Sequence, residues 1–150
     1  MSRLLVVHHT PSPVTRELLE AVLAGANDPE IAGVDVVVRP ALAATVPDVL
    51  GADGYLFGTP ANFGYMSGAL KYFFDAVYYP VLDYVRDRPY GLWVHGNDDT
   101  TGAVSSVQRI ATGMGLAVAA TPLEVAGGLD ADVRGRAYEL GGTLAAHLMK

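Results

Sequence analysis

Gly54-Tyr55-Leu56-Phe57-Gly58-Thr59-Pro60-Ala61-Asn62-Phe63-Gly64-Tyr65-Met66-Ser67-Gly68-Ala69-Leu70-Lys71 decides the fold class. It passes from an apolar run (Gly54–Gly58) through a glycine-punctuated loop into a pattern at helical spacing. That pattern is Met66, Leu70, Phe73 and Val77, with Val81, Leu82 and Val85 extending it. Period 3.6 after a short apolar run reads as strand, loop, helix. The same unit repeats outward. Leu4–Val7 is followed by a proline-rich turn and by Val14, Leu18 and Val22, with Leu19 and Leu23 beside them. Val34–Val38 and Gly91–His95 read as further strands, and Leu116–Val125 contains a fifth. Ala103–Met114 and Asp130–Met149 read as helices. Strands alternating with helices imply βαβ units and a parallel sheet. Strands that are apolar throughout suit a sheet covered on both faces. No two-residue hairpin turn stands out. Pro80 is expected to kink the third helix or split it after Tyr79.

Composition sets the outer limits. The chain has 150 residues, 51% apolar and 17% charged, with 9 prolines, 17 glycines and no cysteine. This length suits one domain spanning 1–150 and a core built without staples. The lack of cysteine excludes disulfides, thiolate metal sites and cysteine nucleophiles. Ten Lys and Arg against 16 Asp and Glu give a formal charge of −6, which argues against nucleic acid as a partner. No apolar run approaches the ~20 residues of a membrane span. Met1-Ser2-Arg3 leads into an apolar run too short for a signal sequence, so the expected setting is cytoplasmic.

In an open α/β sheet, ligands bind beyond the carboxyl ends of the strands, so the loops after the strands carry the candidates. The first, His8-His9-Thr10-Pro11-Ser12-Pro13-Val14-Thr15-Arg16, has neither the Gly-x-Gly-x-x-Gly fingerprint nor a P-loop. Its three hydroxyls surround an expected helix start, with Ser12 at N-cap and Pro13 at N1. Free N–H groups of Val14, Thr15 and Arg16 there would form an anion site. A plain capped helix fits the same letters. In the second loop, Phe63 and Tyr65 suit contact with a flat ring. Folding back onto the core is the simpler reading of both rings. The third, His95-Gly96-Asn97-Asp98-Asp99-Thr100-Thr101-Gly102, offers polar groups to a heterocycle edge, or is an ordinary Asn/Asp/Gly turn.

At these loops the sequence resembles the flavodoxin-like FMN proteins, nearest to small NADPH-dependent FMN reductases and to quinone reductases of the tryptophan-repressor-binding-protein type. The most specific match is Gly58-Thr59-Pro60, Phe63-Gly64, Met66 to Lys71 and Phe74-Asp75. Thr10 to Thr15 is similar to the family's phosphate loop, with Pro13 in place of glycine and Val14 in place of a polar residue. The resemblance implies a doubly wound, five-stranded parallel sheet in the order 2-1-3-4-5 with helices on both faces. It implies an FMN phosphate held near Thr10, Ser12, Val14 and Thr15. One side of the flavin ring would be lined by Pro60, Ala61, Asn62, Phe63, Gly64 and Tyr65. His95, Asn97, Asp98 and Thr100 would approach the pyrimidine edge or the ring face. A carboxylate at Asp98 would oppose a negatively charged reduced ring, whereas Asp99 suits a helix cap.

The expected function is reduction of a quinone or other small acceptor by NAD(P)H through bound FMN, with His95 as a candidate proton donor. The alternatives are a flavodoxin-type electron carrier that docks on redox proteins, and a fold relative that no longer binds FMN. Response regulators need acidic residues where this chain has His8-His9 and Gly58-Thr59. His8 and His9 point to opposite sides of a strand, so no metal site is expected; hydrogen bonds to loop backbone are the expected use of both. Gly64-Tyr65-Met66-Ser67-Gly68 misses the serine-hydrolase elbow, and Ser67 reads as an N-cap. The aromatic run Tyr72-Phe73-Phe74 with Tyr78-Tyr79 makes a homodimer a candidate assembly.

Overall fold

The computed structural model describes residues 1–150. Its elements run β1 Ser2–His8, α1 Pro13–Ala26, β2 Val34–Pro40, α2 Val46–Leu50, β3 Gly54–Asn62 and β4 Tyr65–Met66. There follow α3 Gly68–Val81, β5 Pro89–Gly96, α4 Thr101–Gly113, β6 Ala117–Val118, β7 Leu123–Ala126 and α5 Ala131–His147. The sheet order is β2-β1-β3-β5-β6, with β7 also paired to β5 and β4 paired to β3. All pairings are parallel except β3 with β4. No helix is long and apolar enough to cross a membrane.

The sheet thus has seven strands where five were expected. Part of the difference is the last strand, which is broken in two. Tyr90 pairs with Val118 and Trp93 with Leu123, so four residues lie opposite two on β5. Ala119-Ala120-Thr121-Pro122 must loop out, and Pro122 has no N–H to offer a ladder. The rest is the short β4, which turns back on β3 through Phe63-Gly64. Both turn residues have positive φ, 52° and 71°, as a two-residue type I′ hairpin requires. This hairpin was not expected from the letters.

Strand residues alternate between two cores. Leu5, Val7, Tyr55, Phe57, Leu92 and Val94 face α3 and α4 in a cluster of 23 buried residues. Leu4, Val6, Leu56 and Trp93 face α1 and α5 in a cluster of 14. Each fully buried Leu, Val or Phe contributes about 1.5–3 kcal/mol. On α3, Phe73 and Phe74 are buried while Tyr72 and Tyr79 are exposed. Pro80 does not split α3 after Tyr79. The helix continues to Val81 and stops there, within its last turn, so Leu82 and Val85 lie beyond it. Arg88 Nη1 lies 2.7–3.1 Å from the carbonyls of Ala52 and Leu50, tying the end of α2 to the start of β5.

Helices α1 and α5 cross without side chains at two points. A Cβ on Gly25 would lie 1.8 Å from the Tyr138 carbonyl oxygen, and one on Gly141 would lie 1.9 Å from that of Val22. Both obstacles are backbone, which cannot rotate aside. β1 ends in half-buried His8, whose Nδ1 lies 3.1 Å from Thr10 Oγ1. Burial, and secondarily the neighbouring His9, holds the His8 pKa below its ordinary value.

Two outcomes follow. Gly141→Ala is expected to destabilise the fold by about 1–3 kcal/mol. Gly135→Ala, in the same helix with nothing within 4 Å of its Cβ position, should stabilise it by about 0.5–1 kcal/mol. Urea midpoints check both; equal midpoints would contradict the close crossing. For His8, a folded-state pKa below the unfolded value of about 6.5 means a stability contribution complete above that pH and lost as pH falls through the folded value. His8→Gln should flatten the decline of the urea midpoint between about pH 7 and pH 5. An unchanged decline would assign the acid sensitivity to other groups.

Candidate functional site

Three connections meet at the carboxyl edge of the sheet: β1–α1, the β3–β4 hairpin and β5–α4. Between them lies a cavity of about 340 Å³ lined by Pro11, Ser12, Val14, Thr15, Pro60, Ala61, Asn62, His95, Gly96 and Asn97. Such volumes are typical of small-molecule clefts, ~300–1,000 Å³. None of the ten lining residues is a carboxylate, although the chain carries a formal charge of −6.

The first wall is the start of α1. Ser12 is N-cap, its extended backbone leading into Pro13 at N1. Ser12 Oγ accepts from the Thr15 N–H at 3.2 Å, and Thr15 Oγ1 accepts from the Ser12 N–H at 3.0 Å. This reciprocal capping box corrects the expected anion site. The Thr15 N–H is taken by the cap, and the Arg16 N–H donates to the Ser12 carbonyl as the first helical bond. Of the three amides expected to be free, Val14 alone remains. The Arg16 side chain reaches back to the same carbonyl at 3.4 Å.

The second wall is the end of β3. Thr59 is buried, and its Oγ1 accepts from the Ser67 N–H at 2.9 Å, which anchors the loop to the start of α3. Ser67 caps α3 by accepting from the Leu70 N–H. Gly102, in the first turn of α4, admits the hairpin, since a Cβ there would lie 2.0 Å from the Gly64 carbonyl oxygen. Phe63 and Tyr65 do not fold back onto the core. Phe63 is wholly exposed and Tyr65 is 41% exposed, because the tight turn leaves the tip beyond the sheet edge. Neither they nor Gly64 line the cavity.

The third wall is the end of β5. His95 Nε2 lies 2.6 Å from the Gly127 carbonyl. A carbonyl only accepts, so Nε2 carries the proton and Nδ1 is the free position of the neutral ring. Asp98 is exposed and Thr100 is buried, and neither lines the cavity. Thr100 Oγ1 donates instead to Glu124 on β7 at 2.8 Å. Asp99 accepts from the Thr101 N–H at 2.9 Å, the expected capping use, and hydrogen bonding to the Thr101 hydroxyl, then to its N–H, lowers its pKa. Thr10 sits just outside the lining, turned to His8.

His9 departs from expectation. Its backbone N–H donates to the Gly58 carbonyl, but its Nδ1 is buried with no partner. A buried polar atom left so is costly, and this one immediately precedes the first loop of the cavity. Of the fourteen residues predicted for the site, the structure brings eight into the lining: Ser12, Val14, Thr15, Pro60, Ala61, Asn62, His95 and Asn97. Pro11 and Gly96 line it without having been predicted. The signal for Gly96 was its place at the end of an apolar strand, inside a loop already read as a ligand loop.

Comparisons with known proteins place these features in a family. Over 77 residues the chain is 39% identical to a flavodoxin of Aquifex aeolicus, covering 51% of this chain and 40% of that protein. Over 92 residues it is 33% identical to an NAD(P)H dehydrogenase (quinone) of Geobacter sulfurreducens, covering 61% of this chain and 36% of that protein. The matches thus span well under half of both relatives. Among solved structures, a flavodoxin from the domain Archaea superposes with a TM-score of 0.82 at 16% identity, covering 97% of this chain and 98% of the other. A flavodoxin, WrbA-like protein from Agrobacterium tumefaciens superposes with a TM-score of 0.79 at 19% identity, over the whole of both chains. These establish a flavodoxin-like α/β fold. A match to the family described as NADPH-dependent FMN reductase extends over residues 12–128, from the Ser12 cap to the loop beyond β7, and the chain belongs to that family.

Proposed function

We propose that residues 1–150 form one FMN-binding unit that passes reducing equivalents from NAD(P)H to a quinone or another small acceptor. The observation that carries this is the cavity at the sheet edge, where three loops bring hydroxyl, amide and imidazole groups together and no carboxylate. The residues suit a phosphorylated flat ring. The free Val14 N–H offers a polar partner at the phosphate end, and the absence of carboxylates from the lining spares a dianion repulsion. Pro60 and Ala61 supply an apolar wall, and Asn62 and Asn97 supply amide donors and acceptors. Phe63 and Tyr65, exposed on the hairpin, would cover a ring from outside.

When bound, FMN supplies the hydride and electron chemistry. The chain supplies placement and a proton. With Nε2–H committed to Gly127, a proton leaves His95 only from Nδ1 of the imidazolium. Gly127 holds the ring by its carbonyl alone, so orientation depends on backbone and survives side-chain changes around it. Ser12 and Thr15 serve the phosphate end indirectly, by fixing the first turn of α1 so that the Val14 N–H faces outward.

An electron-carrier reading draws on the wholly exposed Phe63 beside the cavity, which gives a partner protein a contact next to the ring. Loss of FMN binding is the third reading, and the capping box that consumes the Thr15 amide favours it.

The visible spectrum of the purified protein, before and after added FMN, tests the proposal. The expected result is a retained yellow chromophore released as FMN on denaturation, followed by NAD(P)H oxidation with a quinone. Retained FMN with almost no turnover in the absence of a partner protein supports the carrier, and a colourless protein that retains no added FMN removes both. In the active protein His95→Phe should lower kcat by roughly tenfold or more, general acids contributing about 10²–10⁴. Unchanged turnover would exclude His95.

A further inference from the structure

The β3–β4 hairpin borders two cavities. Pro60, Ala61 and Asn62 line the one just described. Tyr65, on the return strand, lines a second of about 280 Å³ between α3 and α4. Lys71, Ser105, Ser106 and Arg109 line it too, and no carboxylate does. The chain has ten basic residues against 16 acidic ones, so two cations sharing one small pocket stand out against the charge balance. Arg109 takes part in none of the four ion pairs and is exposed. Lys71 Nζ holds Asp75 at 2.6 Å and keeps further N–H groups, an ammonium having three. That contact raises the Lys71 pKa.

The pocket wall is fixed. Ser106 is buried; its hydroxyl accepts from the Met66 N–H and donates to the Ala103 carbonyl, fastening β4 to α4. Ser105 and Arg109 are four residues apart on the helix and share a face. The outcome is a rigid depression with a guanidinium fork, an ammonium and the free hydroxyl of Ser105. Such a donor set, in a lining that holds no carboxylate, matches a phosphoryl dianion.

We propose that this pocket binds a phosphoryl group on the adenosine end of the nicotinamide dinucleotide that reduces the flavin. The assignment rests on the function proposed above for the adjoining cavity. At about 280 Å³ the pocket falls just below the ~300–1,000 Å³ of drug-sized sites, which suits a phosphorylated ribose and not a whole dinucleotide. The remainder would cross the hairpin at Phe63 and Tyr65 to reach the first cavity. Arg109 acts here as a specificity-determining residue, and Lys71 neutralises the second charge.

The test is isothermal titration of the purified protein, as isolated and after FMN loading, with adenosine 2′,5′-bisphosphate, with ADP and with inorganic phosphate. Wild type, Arg109→Ala, Lys71→Met and the control Arg136→Ala are compared. Arg109 is exposed and outside every ion pair, so its loss leaves the fold intact, and the FMN spectrum checks that directly. The expected result is binding of adenosine 2′,5′-bisphosphate that weakens about tenfold or more in Arg109→Ala, less in Lys71→Met and not at all in Arg136→Ala. KM for NADPH should rise in parallel while KM for NADH holds. An equal loss for ADP and for NADH would support the pocket and assign it the diphosphate instead of the 2′-phosphate. Failure of all three probes to bind, or binding that ignores Arg109, overturns the proposal, and inorganic phosphate as the sole ligand overturns the dinucleotide assignment. Arg109-dependent binding in a protein that retains no FMN would keep the pocket and refute the flavin reading. FMN retention with no such binding would refute the pocket alone.

Discussion

Two missing side chains set the height at which α1 lies on the sheet. Gly25 and Gly141 let α1 and α5 meet backbone to backbone, with under 2 Å available where each Cβ would stand. A closer approach is impossible and a wider one would open the core beneath Leu18 and Val22. Since α1 is a rigid rod, fixing its last turns also fixes its first turn. Ser12, Val14 and Thr15 therefore face Pro60–Asn62 across a cavity whose width is decided some four turns away, at the other end of the helix. The capping box sharpens this. It holds the first turn in one conformation before any ligand arrives, and it does so by consuming an amide that a ligand could have used.

The hairpin wall has an equally local origin. Phe63 and Gly64 adopt the left-handed backbone that a two-residue turn requires, and Phe63, unlike glycine, accepts some strain to do so. Gly102 lets the turn rest on α4, while the Ser106 hydroxyl and the Thr59 hydroxyl secure the residues that follow. One short strand is thus clamped by β3, by α4 and by the start of α3. The two cavities on either side of it share a partition that cannot move for one without moving for the other.

The alternation of apolar runs with 3.6-residue periodicity was enough to read a parallel sheet with helices on both faces, because Leu4–Val7, Gly54–Gly58 and Gly91–His95 are buried over nearly their whole length. Short elements were not legible. A two-residue strand has no period, and Phe-Gly lacks the Asn-Gly signature of a type I′ turn. α2 has five residues, yet its capping box, Thr45 with Asp48 and Pro47 between, was a readable signal. At the site, residues whose placement depends on their own loop meet where the loops do: Ser12, Asn62 and Asn97 line the cavity. Residues whose placement depends on a distant partner do not. Thr100 leaves the cavity for Glu124, and no spacing within the loop announces a hydrogen bond to β7. The cationic pocket escaped for the same reason, since Lys71 and Arg109 lie on different helices and become neighbours only through packing.

The break between β6 and β7 bears on the chain's behaviour in crowded solution. An exposed sheet edge is a template on which other chains can pair. At this margin the ladder runs for two residues, loops out over Ala119–Pro122, and resumes for four. The opposite margin, β2, carries Asp35, Arg39 and a terminal Pro40 along its seven residues. Neither border offers a long, flat, uncharged row of amides and carbonyls. A protein of 51% apolar composition is in this way denied the register that intermolecular β-pairing needs, and the interruption that spoils the regularity of the last strand protects against aggregation.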